Sequence, residues 1–198
     1  MSHFACADEP DHTLNARQIE RFAAVRNAFP GVRTSLANSA GCLLDAPAHG
    51  DLVRPGIALY GGAPRATEAN PFESAVTVET PILQVRSAQP GETAGYGATW
   101  TSEADRRLAV VALGYADGMF RAAQSGGYGR IGDVKLPIAG RVSMDLITLD
   151  VTEAGDAAKP GEIVRFLGPD LDVFAAASGT LAYEVLTRLG PRLERVYV

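Results

Sequence analysis

Two short segments place small residues where a strand should end: Ser39 within LANSAG, and Arg54-Pro55-Gly56-Ile57 within VRPGI. Small residues leave backbone N–H groups within reach of an anion, and strand C-termini in a parallel barrel are where phosphate groups bind. The same residues also make ordinary turns, and on spacing alone both readings stand. Tyr96 in GYGATW and Tyr115 in GYADG each follow a glycine. A glycine there lets the ring stand clear of its own backbone, but buried structural tyrosines are common and neither marks a site by itself. Met144 lies between Ser143 and Asp145 in GRVSMD, a place where methionine ordinarily fills a gap in a core. Cys6 and Cys42 match no metal-ligand spacing and make no disulfide framework. No metal site is expected. Of 18 basic residues only Lys135 and Lys159 are lysines.

The elements that must carry these residues change character along the chain. HFACA is a short apolar run that reads as a buried strand. After it, Asn15 is placed as the N-cap of a helix, with Gln18 reaching back as in a capping box and Leu14 stapling onto Ile19. Ile19, Phe22, Val25 and Phe29 recur at helical spacing, and Pro30-Gly31 stops the helix. TSLAN, a short helix near Ala40–Leu44 and a buried strand at VRPGIALYG complete a strand–helix alternation. That alternation is the pattern of βα units in a parallel sheet. From about Glu73 the texture becomes short apolar runs separated by Gly, Pro and Asp, which predicts an antiparallel β domain. Pro81 suggests an edge or a bulge. A helical region near Asp172–Leu189 and a final strand, RVYV, close the chain. The polar stretch Ala63–Glu73 is read as the boundary, giving domains 1–70 and 71–198.

Composition sets outer limits. The 46% hydrophobic content suffices for a core, and the net charge of −5 disfavours nucleic acid or an anionic membrane as partner. No run approaches a membrane span, and MSHFACADEPD has neither the basic nor the apolar region of a secretory signal. A cytoplasmic location is the expectation.

In order, the chain carries MSHFACAD, SLANSAG, VRPGIALYG, GYGATW, ALGYADG, GRVSMDLITLDV and GTLAYEVLTRLGPRLERVYV. Strings in this order and at these spacings closely resemble the second half of bacterial alanine racemases. The resemblance implies a pyridoxal 5'-phosphate (PLP) enzyme of fold type III, interconverting L-alanine and D-alanine for peptidoglycan precursors. It implies an α/β plus β architecture: the C-terminal portion of a (β/α)8 barrel, then a mainly antiparallel, barrel-like β domain. Residue by residue, Arg54 matches the arginine facing the PLP pyridine nitrogen. Ser39, the backbone N–H groups of Gly56 and Ile57, and the Tyr183 hydroxyl match the phosphate cradle. Tyr96 matches the catalytic tyrosine that exchanges the α-proton on the L-alanine side. Met144 matches a backbone N–H that contacts the substrate carboxylate, and Tyr115 a tyrosine lining the substrate's approach. Arg121 follows as an approach-side charge, although Met119-Phe120 departs from the family's wording. The resemblance also implies a head-to-tail homodimer. In it Tyr96, Tyr115 and Met144 serve the partner's cofactor, while Arg54, Ser39, Gly56, Ile57 and Tyr183 serve this chain's own.

The family's PLP lysine belongs to the barrel's first strand, and neither lysine present matches it. Lys135 falls in a β-hairpin region and Lys159 precedes a proline. The resemblance therefore implies no covalent attachment site in this chain, about three of eight βα units, and inactivity without a missing N-terminal half. A racemase of serine or another small amino acid, and a non-catalytic β-domain interaction module, are the other readings.

Overall fold

The computed structural model describes residues 1–66 and 68–198; Thr67, within the polar stretch read as a boundary, lies outside them. The chain divides into two compact units, Met1–Ala75 and Val76–Val198.

The first unit is built around one helix, α1 (Thr13–Ala28). Its N-cap is His12, whose Nδ1 accepts from the Leu14 N–H at 3.1 Å. Asn15, expected as the cap, is instead buried in the first turn, and its Nδ2 donates back to the carbonyls of Glu9 and Pro10. Gln18 does not close a capping box. It accepts from the Ala5 N–H at 3.1 Å and donates to the His3 carbonyl at 2.9 Å. The reason lies in residues 3–7: HFACA makes no strand among the described residues, so its backbone needs other partners. Phe4 and Ala7 are nonetheless buried, in a cluster with Leu36, Ala40 and Ala48 against which Ile19 and Phe22 pack. The second half of the helical stripe is left uncovered, with Val25 and Phe29 exposed. The helix ends before Pro30-Gly31 as the sequence predicts, and Gly31 takes a φ of +80°.

Two further expected strands are also absent. TSLAN contributes only an isolated bridge, Ser35 to Gly50, although Leu36 and Ala37 are buried. VRPGIALYG folds as a 3-10 helix over Ile57–Tyr60, ended by Gly61 at a φ of +81°. A strand exists only beside another strand, and periodicity reports burial before it reports pairing. Gly61 is required on two counts, since a Cβ there would also lie 2.2 Å from the Glu73 carbonyl oxygen.

The second unit is a six-stranded antiparallel sheet. Its strands are β1 (Thr77–Ala88), β4 (Arg106–Val111), β5 (Tyr128–Ile131), β6 (Val134–Pro137), β7 (Ile147–Asp150) and β8 (Ile163–Leu167). They are ordered β6-β5-β8-β1-β4-β7. A separate two-stranded ribbon joins β2 (Thr93–Ala94) to β3 (Trp100–Thr101). β1 serves two neighbours in turn: Thr77–Pro81 pair with β8, and Ile82–Ala88 pair with β4. Pro81 sits where the partner changes, beside a register shift between Ile82 and Gln84. Proline has no N–H to give a ladder and is tolerated at bulges. The two outermost strands meet through a bridge from Ile138 to Leu149. Ile82, Val111, Ile147, Leu149, Val164 and Phe166 are buried on one face of the sheet, while Leu108 packs with Ala88, Ala94 and Ala139 in a separate cluster. Lys135 lies in the β5–β6 hairpin as expected, with its Nζ 4.5 Å from the centre of the Tyr128 ring. After the sheet come α2 (Leu171–Ala177) and α3 (Ala182–Arg188), within the region predicted helical. RVYV forms no strand and Tyr197 is fully displayed to solvent.

Candidate functional site

In the first unit the residues singled out by type converge. Ser39 Oγ, buried, accepts from the Gly56 N–H at 2.7 Å and the Ala58 N–H at 3.4 Å. An oxygen that accepts twice keeps its own hydrogen to donate. The Ile57 N–H meets no acceptor among the described residues. Gly56 is exposed, and a Cβ built on it would find only Ser39 Oγ, 3.9 Å away. The face above Gly56 is therefore open, bordered by the Ser39 hydroxyl and by the Ile57 N–H, left without an acceptor among the described residues. This is chemistry suited to phosphate oxygens.

Arg54 leaves the same loop but is anchored in the opposite sense. Its Nη1 donates to Ser35 Oγ, and its Nη2 to the Ser2 carbonyl at 2.6 Å and more weakly to that of Leu36 at 3.4 Å. His3 Nδ1 lies 3.3 Å from the same Nη2. With both terminal nitrogens engaged the guanidinium is held in place, and the Nε hydrogen and the second Nη1 hydrogen are the donors that no described partner takes up. Burial pushes the neighbouring Cys42 thiol up, outweighing the opposing pull of Arg54. That residue is held as a neutral thiol. A separate concavity of about 520 Å³, lined by Arg26, Phe29, Arg33, Thr34 and Asp51 among others, contains none of these residues.

In the second unit the tyrosine-bearing loops are set by backbone contact. Gly95, Gly97 and Ala98 all take positive φ, of +74°, +76° and +49°. Ala98 has a side chain in a region that favours glycine, which stores strain beside Tyr96. The Tyr96 ring is 70% exposed. Gly95 and Gly140 pack backbone to backbone: a Cβ on Gly95 would lie 2.8 Å from the Arg141 nitrogen. Arg141 also brings its Nη1 within 2.9 Å of a Cβ built on Gly97. The Tyr115 loop rests on the same segment, four residues further along. A Cβ on Gly114 would be 2.1 Å from the Met144 carbonyl oxygen, and Tyr115 and Ala116 donate to Ser143 and Met144 at 3.0 and 2.9 Å. The Met144 N–H donates to no described residue.

The structure thus groups Ser39, Arg54, Gly56 and Ile57 in one unit, and Tyr96, Tyr115 and Met144 along Gly140–Asp145 in the other. Met144 does not fill a core, because it is exposed. Tyr183 stands half-exposed on α3. Arg121, exposed, opens a 3-10 turn, Arg121–Ser125, and the preceding Phe120 ring carries the Arg188 guanidinium at 4.7 Å. Sequence reading missed Arg141, Asp117 and Arg192. Asp117, within GYADG, is buried and accepts from the Gly114 N–H at 2.8 Å. A buried acid in a glycine turn was the available signal. Nothing distinguishes Arg192 from its neighbouring arginines in sequence.

One unit thus carries an open hydroxyl-and-amide face with a fixed arginine, and the other an exposed tyrosine on a strained loop, residue types suited to an anionic ligand and to proton transfer. Its residues 1–64 match the family description "Alanine racemase, N-terminal domain" and residues 75–197 match "Alanine racemase, C-terminal domain". The chain belongs to the alanine racemase family. It is 49% identical over 198 residues to the alanine racemase of Acidiphilium cryptum, covering 99% of this chain and 55% of that protein. Among solved structures it is similar to biosynthetic alanine racemase from Pseudomonas aeruginosa (TM-score 0.90, 38% identity, 99% of this chain, 56% of that one). It is similar also to alanine racemase from Bartonella henselae with covalently bound pyridoxal phosphate (TM-score 0.89, 35% identity, 99% of this chain, 55% of that one). The chain spans about half the length of the curated relatives it matches.

Proposed function

We propose that this chain supplies the C-terminal half of the machinery that interconverts L-alanine and D-alanine with PLP. The observation that carries this reading is the open face above Gly56, bordered by Ser39 Oγ and the Ile57 N–H, in a member of this family. The residues present fit the cofactor: the Ser39 hydroxyl and the uncovered Ile57 N–H suit its phosphate, and a cationic donor suits its ring nitrogen. Ser39, Gly56, Ile57 and Tyr183 would hold the phosphate. Arg54 would face the ring nitrogen through one of its remaining donors and, carrying no proton-accepting atom, would leave that nitrogen unprotonated. When bound, PLP draws electrons from the substrate's α-carbon and so makes the α-proton removable.

Tyr96 would exchange that proton through its phenolic oxygen. A free phenol has a pKa near 10, so a cationic neighbour is needed for a phenol to act as a base, and Arg141, whose Nη1 comes within 2.9 Å of a Cβ built on the adjacent Gly97, is the candidate for that role. The Met144 N–H would receive the substrate carboxylate, and Tyr115 would line its approach. In this reading residues 1–70 are a portion of a (β/α)8 barrel and residues 71–198 a barrel-like β domain. Two chains would associate as a head-to-tail homodimer acting in the cytoplasm on alanine for peptidoglycan precursors. No helix among the described residues is long and apolar enough to cross a membrane.

Both lysines lie in the second unit, Lys135 in a hairpin and Lys159 before Pro160, so the covalent partner of PLP would come from outside these residues. The test is α-proton exchange of L-alanine in deuterated water with PLP, using the chain alone and paired with an N-terminal racemase fragment. Exchange is expected only for the pair. Borohydride reduction of the chain with PLP should leave no phosphopyridoxyl adduct, and a stoichiometric adduct on either lysine would overturn the reading.

A further inference from the structure

Residues 189–195 form neither helix nor strand, yet this segment is fixed to the loop that carries Tyr115. The Gly190 N–H donates to the Asp117 carbonyl at 2.9 Å, and a Cβ on Gly118 would lie 2.2 Å from the Arg188 carbonyl oxygen. From this docked segment Arg192 reaches two carboxylates with different nitrogens. Its Nε lies 3.0 Å from Asp117 Oδ1, and its Nη1 lies 2.6 Å from Asp145 Oδ1. The Asp117 side chain is only 6% exposed, and its other oxygen accepts from the Gly114 N–H at 2.8 Å. Asp145 directly follows Met144 in the chain.

We propose that Arg192 is a positioning residue, a two-armed clamp that locks the Tyr115 loop against the Met144 turn and so fixes where the Met144 N–H points. The significance of that direction rests on the reading of Met144 and Tyr115 given above. A planar guanidinium can serve two carboxylates from Nε and Nη1 at once, which a single ammonium does not reproduce. An exposed pair such as Arg192 with Asp145 stabilises little alone. The pair with Asp117 is different, because that carboxylate is nearly buried and loses its charge partner when Arg192 is removed. Two backbone bonds, Tyr115 to Ser143 and Ala116 to Met144, then hold the loops without the clamp.

The test reads those two bonds directly, by amide hydrogen exchange at Tyr115 and Ala116 in the chain itself. Arg192→Gln should raise exchange at both amides by about tenfold, and Arg192→Lys should fail to restore it. Asp145→Asn should give a smaller rise in the same amides. Arg195→Gln, which loses only a bond to the Leu189 carbonyl, should change neither. If Arg192→Gln does not fold, Asp145→Asn decides alone, since it leaves Asp117 paired. Unchanged exchange at both amides in the folded variants overturns the clamp. In the complemented pair supplied with PLP, Asp145→Asn and Arg192→Lys should raise KM for alanine more than they lower kcat. Faster exchange with an unchanged KM would uphold the clamp and count instead against Met144 as a substrate contact.

Discussion

Outside its helix and turns the first unit ties much of its backbone through side chains, whereas the second does so through strand ladders. Gln18 serves Ala5 and His3, Asn15 serves Glu9 and Pro10, Asp51 serves Thr34, and Arg54 serves Ser2 and Leu36. In the second unit β1 alone is paired along its length, to β8 and then to β4. A ladder breaks cooperatively, but a side-chain bond can open by itself. On this comparison the residues proposed to hold the phosphate sit in the unit without strand ladders, and Tyr96, proposed to move the proton, in the unit built on them.

The largest expected effect concerns whole units. Limited proteolysis should cut within residues 63–73 and leave the sheet-bearing unit as the resistant core. Mass spectrometry of the fragments checks this, and a resistant core confined to residues 1–70 would reverse the comparison. Next in size, Tyr96→Phe in the complemented pair should reduce α-proton exchange of L-alanine by at least about 100-fold while PLP stays bound. If the variant exchanges like its parent, Tyr96 is a packing residue.

A third experiment probes cohesion within the second unit. Arg130 beside Asp170, helped by the Tyr128 hydroxyl at 2.6 Å, holds the Asp170 carboxyl below the usual carboxylate range. A depressed folded-state pKa stabilises above the unfolded value, about 3.9, and that contribution is lost as pH falls through the folded value. Asp170→Asn should therefore destabilise by about 1–3 kcal/mol at pH 7. The gap from the parent, read by urea unfolding, should shrink below about pH 4. A gap independent of pH would show that Asp170 contributes by shape and not by charge. The smallest effect is expected at the cradle: Ser39→Ala should weaken PLP binding by about tenfold, the worth of one hydrogen bond to a charged group. Titration of PLP absorbance measures it.

Legibility followed the same division. Sheet segments were readable because alternation, turns and Pro81 each reported a local fact that the ladders then used. In the first unit, burial was readable and pairing was not. Phe4, Leu36 and Ile57 are buried as an apolar run suggests, but Phe4 and Leu36 lie in irregular backbone and Ile57 opens a 3-10 helix. Asn15 misled because a polar residue before an apolar stripe signals a cap equally well from inside the first turn, and His12 took that role. Site residues were found through recurring strings around glycine, such as GYGATW. Arg192 and Arg141 stayed hidden because their importance comes from neighbours distant in sequence, Asp117 and Gly97.

The change of partner at Pro81 also governs how this protein can tolerate length variation. A one-residue deletion in a strand sends every following side chain to the opposite face. Because β1 answers to β8 over five pairs and to β4 over six, the irregularity beside Pro81 works as an expansion joint. A residue lost at the start of β1 can be absorbed there, keeping the half that faces β4 in register. The same loss beyond Gln84 has no joint to absorb it and would misalign Val85 and Arg86 against Ala109 and Leu108.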